Sequence, residues 1–440
     1  MMNVVIPEPI TSLNMGEAAI LDGIYEALKL WGDFRLTVYS PGGWIDDDRK
    51  NYEGKYHVVG GVDLLGIEDA YNNVNNPNPT HRTRIHFFKT WGKLILYAVI
   101  AKFSRRIANG IFRDELLKSL READLIIAGH DGMLGYQDFW FVLAAKIMGV
   151  PIALFGGGND LTGRSRYRVR KFFQFAIKNS ILCTVRDTGT RDYLIKNDIP
   201  AERVHLFPDP AVLVEPCKEE RVEEIKKMEG MPGQNKKPLY GLIPVRGGIV
   251  YEKSFSYEKN IEVKHKVRVK LWADLIEHLL EITDAHFVFI PHSIGPVPMN
   301  DDREMNRDIY NALPCGRERV TLIENKYSAG ELKGLIKNCA FVVGERTHAL
   351  IAAVSVGTPC IALTVEEDLR MHHIIAGMFN RKVFNLNNPD TFALKKLLTS
   401  EWGNREQIAR EMKKDADQIR EEAYRAARLL KERMEKGIRN

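Results

Sequence analysis

Short apolar runs alternate along the first half of the chain with longer segments of helical periodicity. None of these runs alternates apolar with polar residues, as a half-buried strand would. Continuous apolar runs of this length are typical of strands in a parallel sheet that is covered on both faces. The segments between them place apolar residues at steps of three and four and predict helices. Strands are predicted at 3–7, 36–40, 125–128, 152–155 and 181–185, and helices at 16–31, 138–148 and 188–196.

The second half repeats this pattern and ends in a long helix. Residues 216–238, between the halves, are highly charged and then rich in Gly and Pro, as is usual where few contacts cross between domains. Residues 405–436 carry one apolar stripe and predict a long amphipathic helix. Strands are predicted at 240–244, 286–291, 320–323, 340–343 and 360–363, and helices at 267–280, 303–313, 329–337 and 348–356.

This alternation predicts an α/β protein with two doubly wound, Rossmann-like parallel-sheet domains. Two such domains are typical of the glycosyltransferase-B class, in which the domains face a cleft and ligands bind at the carboxyl ends of the strands. That step is an analogy of fold and does not by itself indicate a function. The expected parts are an N-terminal domain at 1–215, a charged linker at 216–238, a C-terminal domain at 239–400 and a terminal helix at 401–440.

Composition excludes several classes of protein. With 45% hydrophobic and 28% charged residues, the 440-residue chain has a globular rather than a disordered composition. Its longest apolar runs, 94–101 and the interrupted 349–365, are too short to span a bilayer. The first residues lack the pattern of a secretory signal, so we expect a cytoplasmic location. Five scattered cysteines and histidines without ligand spacing argue against a disulfide framework, and we expect no metal site.

The net charge of +5 is too small to indicate a nucleic-acid partner, but the basic residues are unevenly distributed. No acidic residue occurs at 81–113 or at 161–186. The first window mixes eight Lys or Arg with aromatic and aliphatic residues. That composition suits a helix on an anionic membrane surface, and the protein would then be peripheral to the inner face of the membrane. It equally suits an ordinary helix packed on a sheet. The second window, which includes Arg164, has two interpretations: contact with an acceptor phosphate, or a basic helix face.

The most informative polar residues lie at 344–348, where an apolar strand ends and a helix begins. A helix N-terminus carries unsatisfied N–H groups and partial positive charge, so it attracts anions. Arg346 adds a planar fork for a carboxylate or a phosphate, and His348 adds a group that exchanges a proton near neutral pH. The alternative is a surface pair of Arg346 with Glu345 and a His348 without chemistry.

Arg186 stands at the end of a second strand, after the apolar run 181–185. A buried arginine needs an anion or a carboxylate as its partner. Asp187 and Asp209 are candidate partners, and a bound substrate anion is the other possibility. Asp187 is also expected to cap the helix that follows.

Five short motifs, in this order over about residues 3–365, resemble those of the polysaccharide pyruvyl transferase family. They are NMGE at 14–17, RD at 186–187 with Thr190 and Leu194, PDPA at 208–211, Pro291 with DD at 301–302, and GERTHA at 344–349 with GTP at 357–359.

The resemblance implies transfer of the enolpyruvyl unit of phosphoenolpyruvate to two hydroxyls of a sugar, which closes a pyruvate ketal and releases phosphate. The acceptor would be a cell-surface polysaccharide or a lipid-linked glycan precursor, with phosphoenolpyruvate as co-substrate and no cofactor. By resemblance, Arg186 and Arg346 bind the donor and His348 is the catalytic acid or base. Further residues expected at the substrates are Asn14, Gly16, Glu17, Arg164, Asp209, Glu345 and Arg370.

The chain departs from the family pattern at three positions. Glu17 stands where many members have Asp, His130 lies where members often have a glycine run, and Asp368 lies near the place of a family lysine, for which Arg370 is a candidate substitute. These departures concern the substrate more than the fold. Two other functions stay open: a glycosyltransferase or sugar-nucleotide epimerase of the same architecture, and a catalytically silent relative that binds glycan or membrane.

Overall fold

The structure is a computed structural model of the 440-residue chain. It describes residues 1–64, 81–130, 134–158, 168–231 and 237–438. The chain forms two compact units: unit 1 comprises residues 1–12, 24–209 and 423–440, and unit 2 comprises residues 13–23 and 210–422.

Unit 1 is built on a seven-stranded parallel sheet. Its strands are β1 (Met2–Ile6), β2 (Phe34–Tyr39), β3 (His57–Val59), β4 (Leu125–Ala128), β5 (Ile152–Gly157), β6 (Leu182–Val185) and β7 (His205–Leu206). Their order is β3-β2-β1-β4-β5-β6-β7, with Val4 paired to Leu36 on one side and to Leu125 on the other. The strand order reverses beside β1, as in a doubly wound sheet.

The helices of unit 1 cover a core in which Trp91, Leu94, Phe141 and Phe173 are buried. Side-chain caps start several of them: Asp187, for example, accepts a hydrogen bond from the amide of Thr190, so its expected capping role is confirmed. The helices are α1 (Met15–Leu28, whose first turns belong to unit 2), α2 (Ile45–Asn51), α3 (His81–Phe103), α4 (Arg105–Phe112), α5 (Glu115–Glu122), α6 (Tyr136–Met148), α7 (Arg168–Asn179) and α8 (Thr188–Lys196), with 3₁₀ turns at Lys29–Trp31 and Ala201–Arg203.

Unit 2 is built on a six-stranded parallel sheet whose central strands are almost entirely buried. The strands are β8 (Leu239–Ile243), β9 (His286–Phe289), β10 (Val320–Leu322), β11 (Cys339–Gly344), β12 (Cys360–Thr364) and β13 (Val383–Asn385). Their order is β10-β9-β8-β11-β12-β13, so β8 and β11 are adjacent at the centre.

The helices of unit 2 pack on both sides of this sheet, around buried Tyr240, Trp272 and Phe341. They are α9 (Glu219–Met228), α10 (Ile249–Lys253), α11 (Ile261–Ile282), α12 (Asp302–Ala312), α13 (Ala329–Lys337), α14 (Thr347–Val356), α15 (Thr391–Gly403) and α16 (Arg405–Ile438, whose last turns belong to unit 1), with a π-helix at Met371–Met378 and 3₁₀ turns at Pro210–Leu213, Pro298–Asn300 and Arg317–Arg319. Of the helices described, none combines the length and the apolarity that a membrane span requires.

The predicted fold class is confirmed, and so is the long terminal helix, but the expected linker at 216–238 differs from what the structure has. That segment contains α9, which packs on α13: Arg221 donates to Glu331 at 2.7 Å, and the amide of Cys217 donates to the carbonyl of Gly330. The units divide at Asp209 and Pro210 instead. A charged segment can therefore be a surface helix of a domain as well as a linker, because charge on one face is what any solvated helix carries.

Candidate active site

The NMGE motif forms the N-terminal turn of α1, within unit 2. Asn14 precedes the helix, and its side-chain oxygen accepts a hydrogen bond from the amide of Gly16 at 3.0 Å. The side-chain nitrogen of Asn14 donates to Glu17 at 2.9 Å. Asn14 is thus a helix N-cap whose amide group also orients the carboxylate of Glu17.

This turn is joined by backbone hydrogen bonds to the loop that follows β9. The amide of Met15 donates to the carbonyl of His292 at 3.0 Å, and the amide of Ile294 donates to the carbonyl of Leu13 at 2.9 Å. Asn14 and Ser293 form an antiparallel bridge between these two bonds. The first motif of the chain is therefore held beside the carboxyl end of β9.

The same turn lies directly against His348, which is in the first turn of α14. A Cβ atom built on Gly16 would be 2.5 Å from the Nδ1 atom of His348 and 3.2 Å from the Oδ1 atom of Asn14. Any side chain larger than hydrogen at position 16 would therefore displace the imidazole ring. The NMGE and GERTHA motifs, which begin and nearly end the series of five motifs along the chain, meet at this contact.

Asp302, the first residue of α12, connects the groups around His348. Its carboxylate is fully buried and accepts backbone hydrogen bonds from His292 and Ser293 at 3.2 and 3.0 Å, and from Arg246 at 3.3 Å. Arg346 donates to both of its oxygens, from Nε at 3.0 Å and from Nη2 at 2.6 Å. Five donors thus surround one carboxylate, and two of them belong to a single guanidinium group.

Arg346 keeps one edge directed away from this ion pair. Its side chain is 22% exposed, and among the described residues no acceptor lies within hydrogen-bond distance of its Nη1 atom. Arg346 also stands at the N-cap of α14, where its side chain makes no capping bond. An exposed guanidinium edge beside a helix N-terminus and an imidazole is a suitable binding site for a small anion.

Glu345, the neighbour of Arg346, is directed into the interior of unit 2. Its carboxylate accepts hydrogen bonds from Arg268 at 2.6 Å, from the amide of Val245 at 2.7 Å and from the indole of Trp272 at 3.3 Å. Burial raises the pKa of Glu345, while the positive charge of Arg268 opposes that rise. The alternative in which Arg346 pairs with Glu345 is therefore not what forms, and the geometry assigns Glu345 to the support of the strand end instead of the expected substrate contact.

His292 is a second imidazole in the same place, and it is buried. Its pKa is lowered from an ordinary value of 6.5 to about 3, mainly by burial and to a smaller extent by the nearby His348 and Arg346. His292 is thus neutral at neutral pH. The sequence does not predict a buried, neutral histidine here, because a single histidine after a strand has no second histidine or cysteine at a spacing that would indicate a site.

Arg186 and its surroundings belong to unit 1. The side chain is buried, and its Nη1 atom donates to Asp209 at 2.6 Å. Of the two candidate carboxylate partners, the structure has Asp209, which is itself buried. The roles of Arg186 and Asp209 in binding substrate stay predictions.

The other expected residues have varied environments. Arg370 donates to buried Asp368 at 3.2 Å, just before the π-helix, and Arg164 lies outside the described residues.

Glu8 was not expected: it follows β1, is fully buried, and accepts a hydrogen bond from the amide of Gly129 at 2.8 Å. Its carboxylate is also 3.4 Å from His130, one of the departures from the family pattern.

Comparison with known structures identifies the class of fold. The chain is similar to UDP-GlcNAc 2-epimerase from Neisseria meningitidis, with 14% identity, TM-score 0.56 and coverage of 99% of this chain and 100% of that one. It is similar to the UDP co-structure of S. aureus MnaA, with 14% identity, TM-score 0.57 and coverage of 97% and 94%. Anabaena Alr3699/HepE, in complex with UDP and glucose, has 11% identity, TM-score 0.53 and coverage of 99% and 100%. At these identities the likeness concerns the fold, which is glycosyltransferase-B-like.

The family model of polysaccharide pyruvyl transferase matches residues 14–367. The chain therefore belongs to the polysaccharide pyruvyl transferase family, which is a family of transferases. A comparison with curated protein sequences found no significant match.

Replacement of Asp302 by Asn should destabilise unit 2 by about 2–4 kcal/mol, because the amide nitrogen would face a donor of Arg346 and the ion pair would be lost. Urea unfolding monitored by tryptophan fluorescence measures this change. Asp301→Asn is the matched control, since Asp301 pairs with the more exposed Arg303 and caps α12, a role that Asn also fills. That control should cost less than about 1 kcal/mol, and equal costs for the two variants would contradict the importance given to Asp302.

His292 should make stability depend on pH in the acid range. Its pKa is about 3 in the folded protein against 6.5 in a free histidine, so between these values the unfolded state binds more protons. Stability therefore falls as pH decreases below 6.5, by up to about 1.4 kcal/mol per pH unit from this residue. Urea unfolding of His292→Gln at about pH 7 and about pH 5 should show a shallower loss than the unmodified protein. Parallel losses would show that His292 is not the group responsible.

Proposed function

We propose that this protein transfers the enolpyruvyl unit of phosphoenolpyruvate to two hydroxyls of a sugar, with Arg346 and His348 at the donor. The observation that carries the proposal is the contact of the NMGE turn with His348 beside the Arg346–Asp302 ion pair, all within unit 2. Family membership supports the reaction class, and the chemistry of these residues supports the choice of donor.

Phosphoenolpyruvate carries a phosphate and a carboxylate on one carbon of a three-carbon molecule. The exposed edge of Arg346 offers charged N–H donors to one of these groups, and the N-terminus of α14 offers partial positive charge to the other. Each charge-assisted hydrogen bond contributes about 1.5–3 kcal/mol. Because Asp302 holds the opposite edge of the guanidinium, Arg346 is oriented before the donor arrives.

The reaction requires proton transfer at defined atoms. A proton is added to the methylene carbon of the donor, which becomes a methyl group, while one sugar hydroxyl attacks the neighbouring oxocarbenium-like carbon and loses its proton. The second hydroxyl then forms the other C–O bond as the bond from carbon to the phosphate oxygen breaks. Two hydroxyl protons leave the sugar: one is balanced by the new methyl group, and the other departs with phosphate.

His348 is the proposed acid and base for these transfers. An imidazole can both donate and accept a proton, and the position of His348 in the first turn of α14 puts it close to the proposed anion site. His292, which stays neutral, does not compete for that role. Asn14 and Glu17 share a turn with Gly16, and we assign them to the acceptor sugar of a polysaccharide or a lipid-linked precursor.

Phosphoenolpyruvate should raise the melting temperature of the protein, and UDP and UDP-GlcNAc should not. In Arg346→Gln the shift should disappear, because the charged donor edge is lost, whereas His348→Gln should keep most of it. With glycans that carry neighbouring hydroxyls as acceptors, donor-dependent phosphate release should fall about 10²–10⁴-fold in His348→Gln.

His278→Gln is the matched control for this series, since His278 lies in α11 and contacts Thr399. It should retain both the shift and the activity. Stabilisation by the nucleotides without any by phosphoenolpyruvate would favour the epimerase or glycosyltransferase alternative. Absence of both shifts would favour a catalytically silent relative.

Gly16→Ala should lower the activity with little effect on the stability of the protein. The added Cβ would lie 2.5 Å from the Nδ1 atom of His348, a side-chain atom, so the imidazole has to move while the backbone of the turn can stay in place. We therefore expect phosphate release to fall about 100-fold, since a displacement of about 1 Å costs that much in a preorganised site, with a small change in melting temperature. Gly403→Ala, where a Cβ would meet no atom within 4 Å, is the control. Unchanged turnover in Gly16→Ala would contradict the role of this contact.

A further inference from the structure

Helices α3 and α4 of unit 1 expose a stripe of large apolar side chains. The three exposed positions of α3 are separated by three and four residues and the two of α4 by four, so within each helix they share one face. They are Leu96 at 55% exposure, Val99 at 41%, Phe103 at 83%, Ile107 at 57% and Ile111 at 61%, and together we call them the α3–α4 surface.

The exposure of these residues is not explained by the packing of α3 on the sheet. The opposite face of α3 already supplies Trp91, Leu94 and Tyr97 to the core of unit 1. One face of the helix thus packs on the unit, as the ordinary-helix interpretation of the first basic window expected, while another face stays apolar and exposed, and the membrane interpretation stays a prediction. A contiguous exposed apolar patch indicates an interaction surface.

Exposed cations accompany the stripe. Lys102, Arg105 and Arg106 lie at the junction of α3 and α4, and Lys89 and Arg113 lie toward its ends. Among the described residues, no carboxylate forms an ion pair with any of these five side chains. Residues 81–113 contain no Asp or Glu, and the next acidic residue, Asp114, pairs with Lys93, so the surface combines apolar groups with exposed positive charge.

The two helices are held together before any partner binds. The hydroxyl of Tyr97 donates to the side-chain oxygen of Asn109 at 2.8 Å, and the rings of Tyr97 and Phe112 meet edge to face at 5.5 Å. Burial raises the pKa of Tyr97 to about 12, so this hydroxyl remains a donor. Ser104 caps α4 by accepting a hydrogen bond from the amide of Ile107. The stripe is thus part of a packed helix pair.

We propose that the α3–α4 surface binds an anionic phospholipid bilayer, with the apolar stripe inserted at the interface and the flanking cations on lipid phosphates. An apolar face bordered by Lys and Arg, without acidic residues, is the composition of helices that lie in this interface. The charge favours a lipid surface over a second copy of the chain, because two such surfaces would bring like charges together. The proposal does not depend on the transfer reaction proposed above.

Flotation of the full-length protein with vesicles tests this proposal. The protein should bind vesicles of phosphatidylcholine mixed with phosphatidylglycerol and should bind pure phosphatidylcholine at least tenfold less. Added salt should weaken binding to the mixed vesicles, because it screens the cations. Equal binding to both vesicle types, or binding to neither, would overturn the proposal.

Two variants separate the apolar and the charged contributions. The triple variant Phe103→Ser, Ile107→Ser, Ile111→Ser should lower the partition coefficient more than tenfold. Arg105→Gln with Arg106→Gln should lower it about 20-fold, since each cation near an anionic surface contributes roughly a factor of five. Both variants should melt like the unmodified protein and keep the same thermal response to phosphoenolpyruvate, which makes this test independent of the proposed function.

Matched controls lie in unit 2. Phe392→Ser removes an aromatic side chain that is 79% exposed, and Lys413→Gln with Lys414→Gln removes two exposed cations. Both should bind the mixed vesicles as the unmodified protein does. Equal losses in the controls would overturn the assignment to α3 and α4. Sedimentation equilibrium tests self-association, and the unmodified protein should not dimerise through this surface. A dimer that the triple variant abolishes would overturn the proposal and assign the surface to self-association.

Discussion

The burial of one carboxylate, that of Asp302, is the constraint on which the candidate site depends. An ionised group without access to water is tolerated only when donors surround it. Here three backbone amides and both donor atoms of one edge of Arg346 do so. Those donors come from the segments after β8, β9 and β11, so satisfying Asp302 brings three strand ends of unit 2 together. The orientation of Arg346 is a consequence of that requirement.

Consecutive residues of the turn after β11 are held from opposite sides. Glu345 binds the buried Arg268, while Arg346 binds Asp302, so neither side chain can rotate without leaving a buried charge unpaired. His348 follows two residues later, on a turn whose backbone these ion pairs restrain, and Gly16 contacts its ring. A site oriented in this way needs little reorganisation when charge develops in a reaction.

Apolar runs and periodicity predict the central strands and eight of the sixteen described helices, but not β3, β7 and β13. Each of these lies at a sheet edge and has two or three residues, too few to form a pattern. At the site, the sequence indicates His348 and Arg346 as candidates from their place at a strand end, and their roles stay predictions. It did not pair Arg346 with Asp302, because that contact joins residues 44 positions apart and only the sheet order brings them together. Glu345, adjacent in sequence, was the obvious partner and is the wrong one.

The Arg346–Asp302 pair carries no net charge, but its two charges lie in different surroundings. The carboxylate of Asp302 is buried and accepts hydrogen bonds from backbone amides, whereas the side chain of Arg346 is 22% exposed, so the positive end of the pair is the accessible one. Burial is the main reason for the low pKa of His292, about 3, and the neighbouring His348 and Arg346 contribute less. His292 therefore stays neutral and serves the packing of the turn after β9. His348, partly exposed in the first turn of α14, is the imidazole that remains for the proton transfers of the proposed reaction.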